Sequence, residues 1–271
     1  HELRETPDSA PLATKLAAPK LNAVRAGSGC LSESPGGKAP NFQLSPRQRA
    51  SIEAALAGFK KNTGAAPPEQ QIAETLLRLN CYACHERGGI GGVEELANAL
   101  FTTTQPEMGD EGRIPPPLSG VGGKLTAEWF NGIMEKGAKD RPYMLTRMPK
   151  FGTENAGNLQ KLMEPLDLLE PLPAIALDAK EAKLAGMQMV GDRGFSCIKC
   201  HTFGRFEASG IQSIDMTVMH RRLREEWFRR YVDNPPEFRP GTRMPDAWPN
   251  ASGRSLLPKL LDGQNATQIQ A

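Results

Sequence analysis

The sequence contains Cys81-Tyr-Ala-Cys84-His85 and, further along, Cys197-Ile-Lys-Cys200-His201. Each stretch has two cysteines three positions apart and a histidine directly after the second one. Together they hold four of the five cysteines and two of the four histidines of the 271-residue chain. The rest of the sequence is interpreted outward from these two places.

The order Cys-x-x-Cys-His is the attachment signature of c-type haem. Two thiols at this spacing reach the two vinyl groups of one porphyrin and form thioethers, and the histidine is placed beneath the iron as its proximal ligand. A zinc site or a pair of disulfides is the alternative for such cysteines. The motifs predict two c-type haems, attached through Cys81, Cys84, Cys197 and Cys200, with His85 and His201 as iron ligands.

The segments that follow the motifs are also duplicated. Leu125-Thr-Ala-Glu-Trp129-Phe corresponds to Leu223-Arg-Glu-Glu-Trp227-Phe, and the tetrapeptide Thr-Arg-Met-Pro occurs once after each. The two haem motifs lie further apart than these pairs do, because the first unit carries a longer loop over residues 88–117, rich in glycine and proline. Same-order duplication of this kind indicates a tandem repeat.

Both units have helical patterns and almost no strand-like alternation. Residues 67–80 begin with two prolines and carry spaced apolar side chains, and Thr126 caps a helix that runs through Lys136 and ends at Gly137. Further helices are predicted over 45–61, 158–169, 178–191 and 223–232. The predicted fold class is all-α, with long loops.

Composition shifts divide the chain into three parts. Residues 1–65 form a partly helical N-terminal arm and linker, 66–171 the first unit, and 172–271 the second. Residues 26–40 are rich in glycine, serine and proline, which is typical of a linker. The prolines at 171 and 173 mark the boundary between the two units.

A haem iron with one histidine ligand needs a sixth ligand or keeps an open face. Histidine ligation of both irons would require both spare histidines, His220 and the terminal His1, and is disfavoured. Met148 and Met244 stand at equivalent places in the repeat, each between Arg and Pro, and a thioether suits haem iron. We predict them as the sixth ligands; the alternatives are Met144 for the first iron, and Met216 and Met219 for the second.

Taken together, these features resemble two tandem class I cytochrome c domains over residues 66–271. Each unit has an entry helix, the Cys-x-x-Cys-His motif, a loop, a middle helix and a Met-Pro loop. In that family a proline carbonyl after the motif accepts a hydrogen bond from the proximal histidine. The resemblance implies this role toward His85 for one of Pro115, Pro116 or Pro117.

The second unit departs from the family pattern at this point. It has no proline between His201 and Asn234. The acceptor for His201 is therefore expected among the backbone carbonyls of residues 211–217. The physical role is the same, since a hydrogen bond to the far ring nitrogen orients a metal-bound imidazole.

For several other side chains the sequence leaves more than one role open. Arg147 and Arg243 either pair with haem propionates or are solvated. Trp129 and Trp227, each followed by Phe, are expected in the core. Cys30 is a free thiol or pairs outside this chain, with thiolate ligation of a haem left open, and the remaining internal histidine is expected at the surface.

Charge and hydropathy exclude some function classes. The chain has 33 basic and 31 acidic residues, a near balance that is atypical of nucleic-acid-binding proteins. It has no apolar run long enough to cross a bilayer, so no membrane span is predicted. The start at His1 lacks both an initiator methionine and a signal-peptide pattern, so a processed or truncated chain is expected.

The predicted function is electron transfer through two His/Met-ligated haems, between a dehydrogenase-like donor and an acceptor. Redox proteins or a fused redox domain are the expected partners, and the chain is expected to belong to a larger assembly. Because haem is attached outside energy-coupling membranes, a bacterial periplasmic or extracellular location is expected, after signal-peptide removal. The alternatives are a dihaem peroxidase-like or sulfur-oxidising enzyme with one open haem, for which Glu111 and Glu128 are weak acid–base candidates, or the electron outlet of a larger oxidoreductase.

Overall fold

The computed structural model describes residues 23–25, 27–36, 39–61, 66–138, 140–156, 158–248 and 255–271. The chain divides into two compact units, His1–Ala66 and Pro67–Ala271. Both repeats belong to the second unit, and its division at residue 171 stays a prediction. The predicted flexible linker lies only partly within the described residues, because 26, 37 and 38 fall outside them.

The first unit contains one described α-helix, α1 (Pro46–Lys61), and a 3-10 turn at Gly29–Leu31. Ser45 and Gln48 form a capping box: the Gln48 amide donates to Ser45 Oγ at 3.3 Å, and the Ser45 amide donates to Gln48 Oε1 at 2.9 Å. This confirms the predicted start of the helix.

The second unit is mostly helical. Its first repeat contains α2 (Pro68–Arg78), α3 (Val121–Lys124), α4 (Ala127–Lys136), α5 (Thr153–Ala156) and α6 (Asn158–Asp167). Its second repeat contains α7 (Ala179–Val190), α8 (Met219–Arg222), α9 (Glu225–Asp233), α10 (Pro235–Phe238) and α11 (Asn265–Gln270). Each predicted helix is therefore present, with ends that shift by a few residues.

The described residues also contain one small sheet, which the sequence pattern did not predict. Strands β1 (Glu86–Arg87) and β2 (Ile90–Gly91) pair antiparallel directly after the first haem motif. Gly88 and Gly89 join them with φ of 62° and 79°, as a two-residue hairpin turn requires. Two-residue strands are too short to show an alternating pattern.

Side-chain caps fix the starts of α4 and α7. Thr126 Oγ1 accepts the Trp129 amide at 3.3 Å at the start of α4. Asp178 accepts the amides of Lys180 and Glu181, at 3.0 and 2.9 Å, at the start of α7. Short polar side chains at these positions satisfy backbone donors that the first helical turn leaves free.

Each repeat packs its first helix against its last. In the first repeat α2 packs against α6, and in the second α7 packs against α11. The main hydrophobic cluster draws on both repeats: Leu76 and Met163 of the first are fully buried, and Leu223 and Trp227 of the second are each 8% exposed. The two repeats therefore share one core.

A smaller cluster lies within the second repeat. It is built on Met189, Val232 and Trp248. Trp248 Nε1 donates to Gln268 Oε1 at 3.0 Å, and Gln268 Nε2 donates to the Leu257 and Leu260 carbonyls. These bonds satisfy a glutamine that is 1% exposed and so hold α11 in place.

Equivalent segments of the two repeats pair with each other. Leu125 and Leu223, which occupy the same repeat position, form an antiparallel β-bridge. The bridge places equivalent positions of the two repeats opposite each other, with their chains running in opposite directions. The flanking bonds are equivalent too: the amides of Thr126 and Arg224 donate to the carbonyls of Arg222 and Lys124, at 3.0 and 2.9 Å.

Candidate metal centres

The two Cys-x-x-Cys-His motifs have the same backbone conformation. Each begins after a residue in the left-handed region, Asn80 with φ 55° and Ser196 with φ 61°, and continues as a 3-10 turn. In each, the histidine amide donates to the first cysteine's carbonyl at 2.9 Å. The fold therefore presents two cysteines and one histidine in the same way twice.

Both motif histidines are held by a backbone carbonyl. His85 Nδ1 lies 2.7 Å from Pro116 O, and His201 Nδ1 lies 3.1 Å from Ile214 O. Both acceptors fall within the predicted sets, so these two hydrogen bonds are confirmed. With Nδ1 donating to oxygen, Nε2 is the ring nitrogen that remains for a metal.

Burial favours the ligand form of both imidazoles. It lowers the pKa of His85 and of His201 below the ordinary histidine value, although the carbonyl bonds raise each pKa in part. A neutral imidazole is the form that binds a metal. Burial also raises the thiol pKa of Cys81, Cys84 and Cys197.

All five cysteines are free thiols. The disulfide alternative for the two motifs is therefore not realised in this structure. In the described part of the chain, no group of three or more His, Cys, Asp and Glu side chains is placed to bind a metal ion, as a zinc site would need. A haem iron needs only one protein histidine and one further ligand, so its requirements differ.

The two predicted methionines lie beside the cores. Met148 is half-buried and packs against the main cluster, as Cys81 of the first motif also does. Met244 is half-buried and packs against the smaller cluster together with Phe195, which precedes the second motif. Met148 thus shares a core with a cysteine of its own motif, Met244 shares one with a residue two positions before its motif, and ligation by either stays a prediction.

The alternative methionines have other surroundings. Met144 is 7% exposed, and Met219 is 8% exposed with its sulfur 3.9 Å from Arg222 Nη1. Met216 packs against the main cluster. Full burial of the first two within protein is typical of core methionines.

Four basic side chains of the second unit lie close enough for their charges to influence one another, with Arg222 buried and the others partly exposed. This cationic cluster consists of Lys124, Arg141, Arg222 and Arg239. Lys124 Nζ lies 4.2 Å from the centre of the Trp227 ring. Burial holds the pKa of Lys124 well below its ordinary value, and the charges of the other three cations lower that pKa further.

Two carboxylates offset the cluster only in part. Arg222 Nε lies 2.9 Å from Asp140 Oδ2, with side chains 8% and 10% exposed, and Arg239 Nε lies 2.9 Å from Glu111 Oε1. Among the described residues, Lys124 and Arg141 form no ion pair with a carboxylate. Buried basic groups without such a partner favour an anionic group nearby.

Two buried hydrogen-bond donors also favour an anionic acceptor nearby. Trp129 Nε1 and Arg141 Nη1 have no hydrogen-bond partner within the described residues. Arg141 also lowers the pKa of His85 by its charge, so it lies near the first motif. Buried donors cost free energy unless an acceptor satisfies them. The carboxylates of haem propionates supply such acceptors, so these residues fit the predicted group.

The arginines singled out from the sequence have other contacts. Arg147 donates to the carbonyls of Arg141 and Pro142, both at 3.3 Å, and is exposed. Arg243 is exposed as well. The cationic cluster was not predicted from the sequence, although Lys124 and Arg222 precede the paired leucines at equivalent repeat positions, a signal that could have identified them.

The remaining predictions concern packing. Phe130 and Trp227 are buried, and Trp129 and Phe228 pack against the main cluster, so the core reading is confirmed. His220 is exposed, as expected. Cys30 lies half-buried in the 3-10 turn of the first unit.

Comparison with known protein families, with curated proteins and with solved structures found no match for this chain. Among the residues that the structure describes, no helix is both long and apolar enough to cross a bilayer.

Proposed function

We propose that this chain is a dihaem electron-transfer protein. Its haems are attached through Cys81 and Cys84 and through Cys197 and Cys200. The observation that carries the proposal is the duplicated motif in one backbone conformation, each copy followed by a histidine whose Nδ1 faces a carbonyl oxygen. That hydrogen bond orients the imidazole and increases its basicity as a ligand.

The packing of each repeat supports a cytochrome c-like fold. The first and last helices of a repeat contact each other, α2 with α6 and α7 with α11. This agrees with the resemblance to tandem class I cytochrome c domains. The mostly helical content and the long loops agree with it too, since much of such a core is filled by the haem itself.

In this proposal Met148 and Met244 close the sixth positions of the two irons. When bound, each haem supplies one-electron redox chemistry. The chain's own residues orient the histidines, and Lys124, Arg141 and Trp129 would hold the propionates. His/Met ligation raises the reduction potential of a haem iron.

The partners and the location follow from this chemistry and are part of the proposal. Redox proteins or a fused dehydrogenase domain would deliver electrons, and an acceptor would remove them. Covalent haem attachment takes place outside energy-coupling membranes, so we place the protein in a bacterial periplasm or outside the cell.

The test is a count of covalent haem. The chain is produced together with a haem-attachment system, and haem that survives denaturation is measured per chain. We expect two haems for the wild type, one for the Cys197→Ala/Cys200→Ala variant, and two for Cys30→Ala, which is the matched control. A chain that carries zinc, or that takes up no covalent haem under these conditions, would contradict the proposal.

A further inference from the structure

The loop that lengthens the first repeat contacts both methionine loops. We call residues 101–113 the clamp segment. On one side the Leu145 amide donates to Thr102 O at 3.1 Å, and the Thr104 amide donates to Tyr143 O at 2.9 Å. Thr103 and Met144 form an isolated antiparallel β-bridge between the same two segments. The clamp segment therefore pairs with the chain that leads to Met148.

On its other side the clamp segment reaches the second repeat through Gln105, whose Oε1 accepts the Gln212 amide at 3.4 Å, and through Glu111. Glu111 Oε1 lies 2.9 Å from Arg239 Nε, and Glu111 Oε2 accepts the Arg243 amide at 2.9 Å. The Glu111 and Arg239 side chains are 20% and 22% exposed. Charge-assisted hydrogen bonds in such partly buried settings are stronger than neutral ones.

These two contacts lie on either side of a short turn. The Thr242 amide donates to Arg239 O at 3.0 Å, and the Met244 amide donates to Thr242 Oγ1 at 3.2 Å. Glu111 thus contacts Arg239, the first residue of the turn, with one carboxylate oxygen, and the residue directly before Met244 with the other. Together the two contacts restrict the backbone position from which the Met244 side chain extends.

The backbone of the clamp segment also lies close to the Arg243 side chain. A Cβ atom at Gly109, whose φ is 59°, would lie 3.7 Å from Arg243 Nη2. The Arg243 side chain therefore passes close to this glycine. Its side chain and its backbone amide both meet the clamp segment.

We infer that Glu111, from the first repeat, is a positioning residue for Met244, the proposed iron ligand of the second repeat. The inference rests on the proposed function, because it needs a haem iron at the second motif. The clamp segment then holds the methionine loops of both sites, which gives the longer loop of the first repeat a role. Ligation at the second iron depends on a residue outside its own repeat.

The experiment uses the full-length, haem-loaded chain and the sulfur-to-iron charge-transfer band of the oxidised protein. Glu111→Ala removes both contacts, and we expect the band to fall to about half of its wild-type intensity, since one of two His/Met sites opens. Carbon monoxide should then bind one haem per chain in the reduced protein. Glu111→Gln keeps one acceptor oxygen and should fall between Glu111→Ala and the wild type.

Asp110→Asn is the matched control. It removes the same charge one residue earlier, where the side chain is 73% exposed and, among the residues that the structure describes, pairs with Arg113, three residues away in the same segment. We expect it to keep the full band and to exclude carbon monoxide. The band from the first haem reports in each variant that the protein is folded.

The outcomes separate the two proposals. A full band and no carbon monoxide binding in Glu111→Ala would overturn the role of Glu111 and leave the dihaem function standing. Loss of the whole band would also overturn it, because the effect would then not be specific to the second site. A wild-type protein without haem, or with haem but no such band, would refute the proposed function or its methionine ligands instead.

Discussion

At the scale of single residues, the two motif histidines show that the acceptor's position matters more than its residue type. Pro116 supplies the carbonyl for His85, and Ile214 supplies it for His201. Both use backbone oxygen, which every residue has. The second repeat can therefore lack the proline and still orient its imidazole.

A pair of substitutions tests whether Met148, the proposed ligand, or its neighbour Met144 binds the first iron. Met148→Ala should remove about half of the sulfur-to-iron band and admit carbon monoxide to one haem, because a thioether ligand is lost. Met144→Ala should keep the band and lower the free energy of unfolding by about 2–5 kcal/mol, because it leaves a cavity in a buried site. Absorption spectra and denaturant titrations measure both effects.

Met187→Ala is the control for these variants, since Met187 is 63% exposed. It should change neither the band nor the stability by much. If Met144→Ala removes the band and Met148→Ala leaves it intact, the assignment is reversed. If the wild type already binds carbon monoxide at one haem, the alternative of an enzyme with an open site gains support.

At the scale of elements, a single carboxylate organises the chain next to the second histidine. Asp215 Oδ1 accepts the Thr217 amide at 2.8 Å at the start of the 3-10 turn Met216–Val218, and it accepts the Gly204 amide at 3.2 Å. The Asp215 cap directly follows Ile214, whose carbonyl holds His201. It therefore ties two loops together beside the site.

The cap predicts a dependence of stability on acid. Hydrogen bonds, first from the Thr217 amide, lower the pKa of Asp215 in the folded protein. A carboxylate with a lowered folded pKa contributes stability that is fully present above its unfolded pKa of about 3.9 and is lost as pH falls through the folded value. Asp215→Asn should therefore lose less unfolding free energy than the wild type when pH is lowered from about 6 to about 3.

Denaturant titrations across this pH range measure the difference. Asparagine keeps an acceptor oxygen and does not titrate, so it separates the charge from the cap. Equal slopes of stability against pH in the two proteins would show that Asp215 does not contribute. The same titration on Asp215→Ala should show a loss of stability at neutral pH as well, since the cap itself is then removed.

At the scale of the whole unit, the repeats are joined by a shared core, a backbone bridge and a buried ion pair. Residues from both contribute to the main cluster. Arg222 of the second repeat pairs with Asp140 of the first, and both side chains are nearly inaccessible. Contacts of this kind couple the unfolding of the two halves.

Asp140→Ala should therefore destabilise both repeats together. It leaves the Arg222 charge buried without its carboxylate, which costs about 3–5 kcal/mol of unfolding free energy. We expect one unfolding transition, shifted equally when followed by the signals of either haem. Asp110→Ala, which breaks an exposed pair, should cost less than about 1 kcal/mol. Two separate transitions, with only one shifted, would contradict the shared core.

Short-range chemistry explains how much of this protein could be predicted from its sequence. The Cys-x-x-Cys-His motif depends on three- and four-residue spacings, helix starts depend on caps such as Thr126 and Asp178, and the duplication is visible as repeated sequence segments. Even the carbonyl acceptor for His201 could be narrowed to seven residues. All of these involve residues close in the chain, or patterns that local geometry imposes.

Tertiary structure decided the long-range contacts, because these depend on which distant segments of the chain pack together. The pairing of Leu125 with Leu223, the burial of Lys124 beside Trp227, and the reach of Glu111 to the loop of Met244 join residues about a hundred positions apart or more. No local propensity encodes such contacts, since they follow from how the helices pack. The sequence thus determined the two candidate sites, and only packing determined how they depend on each other.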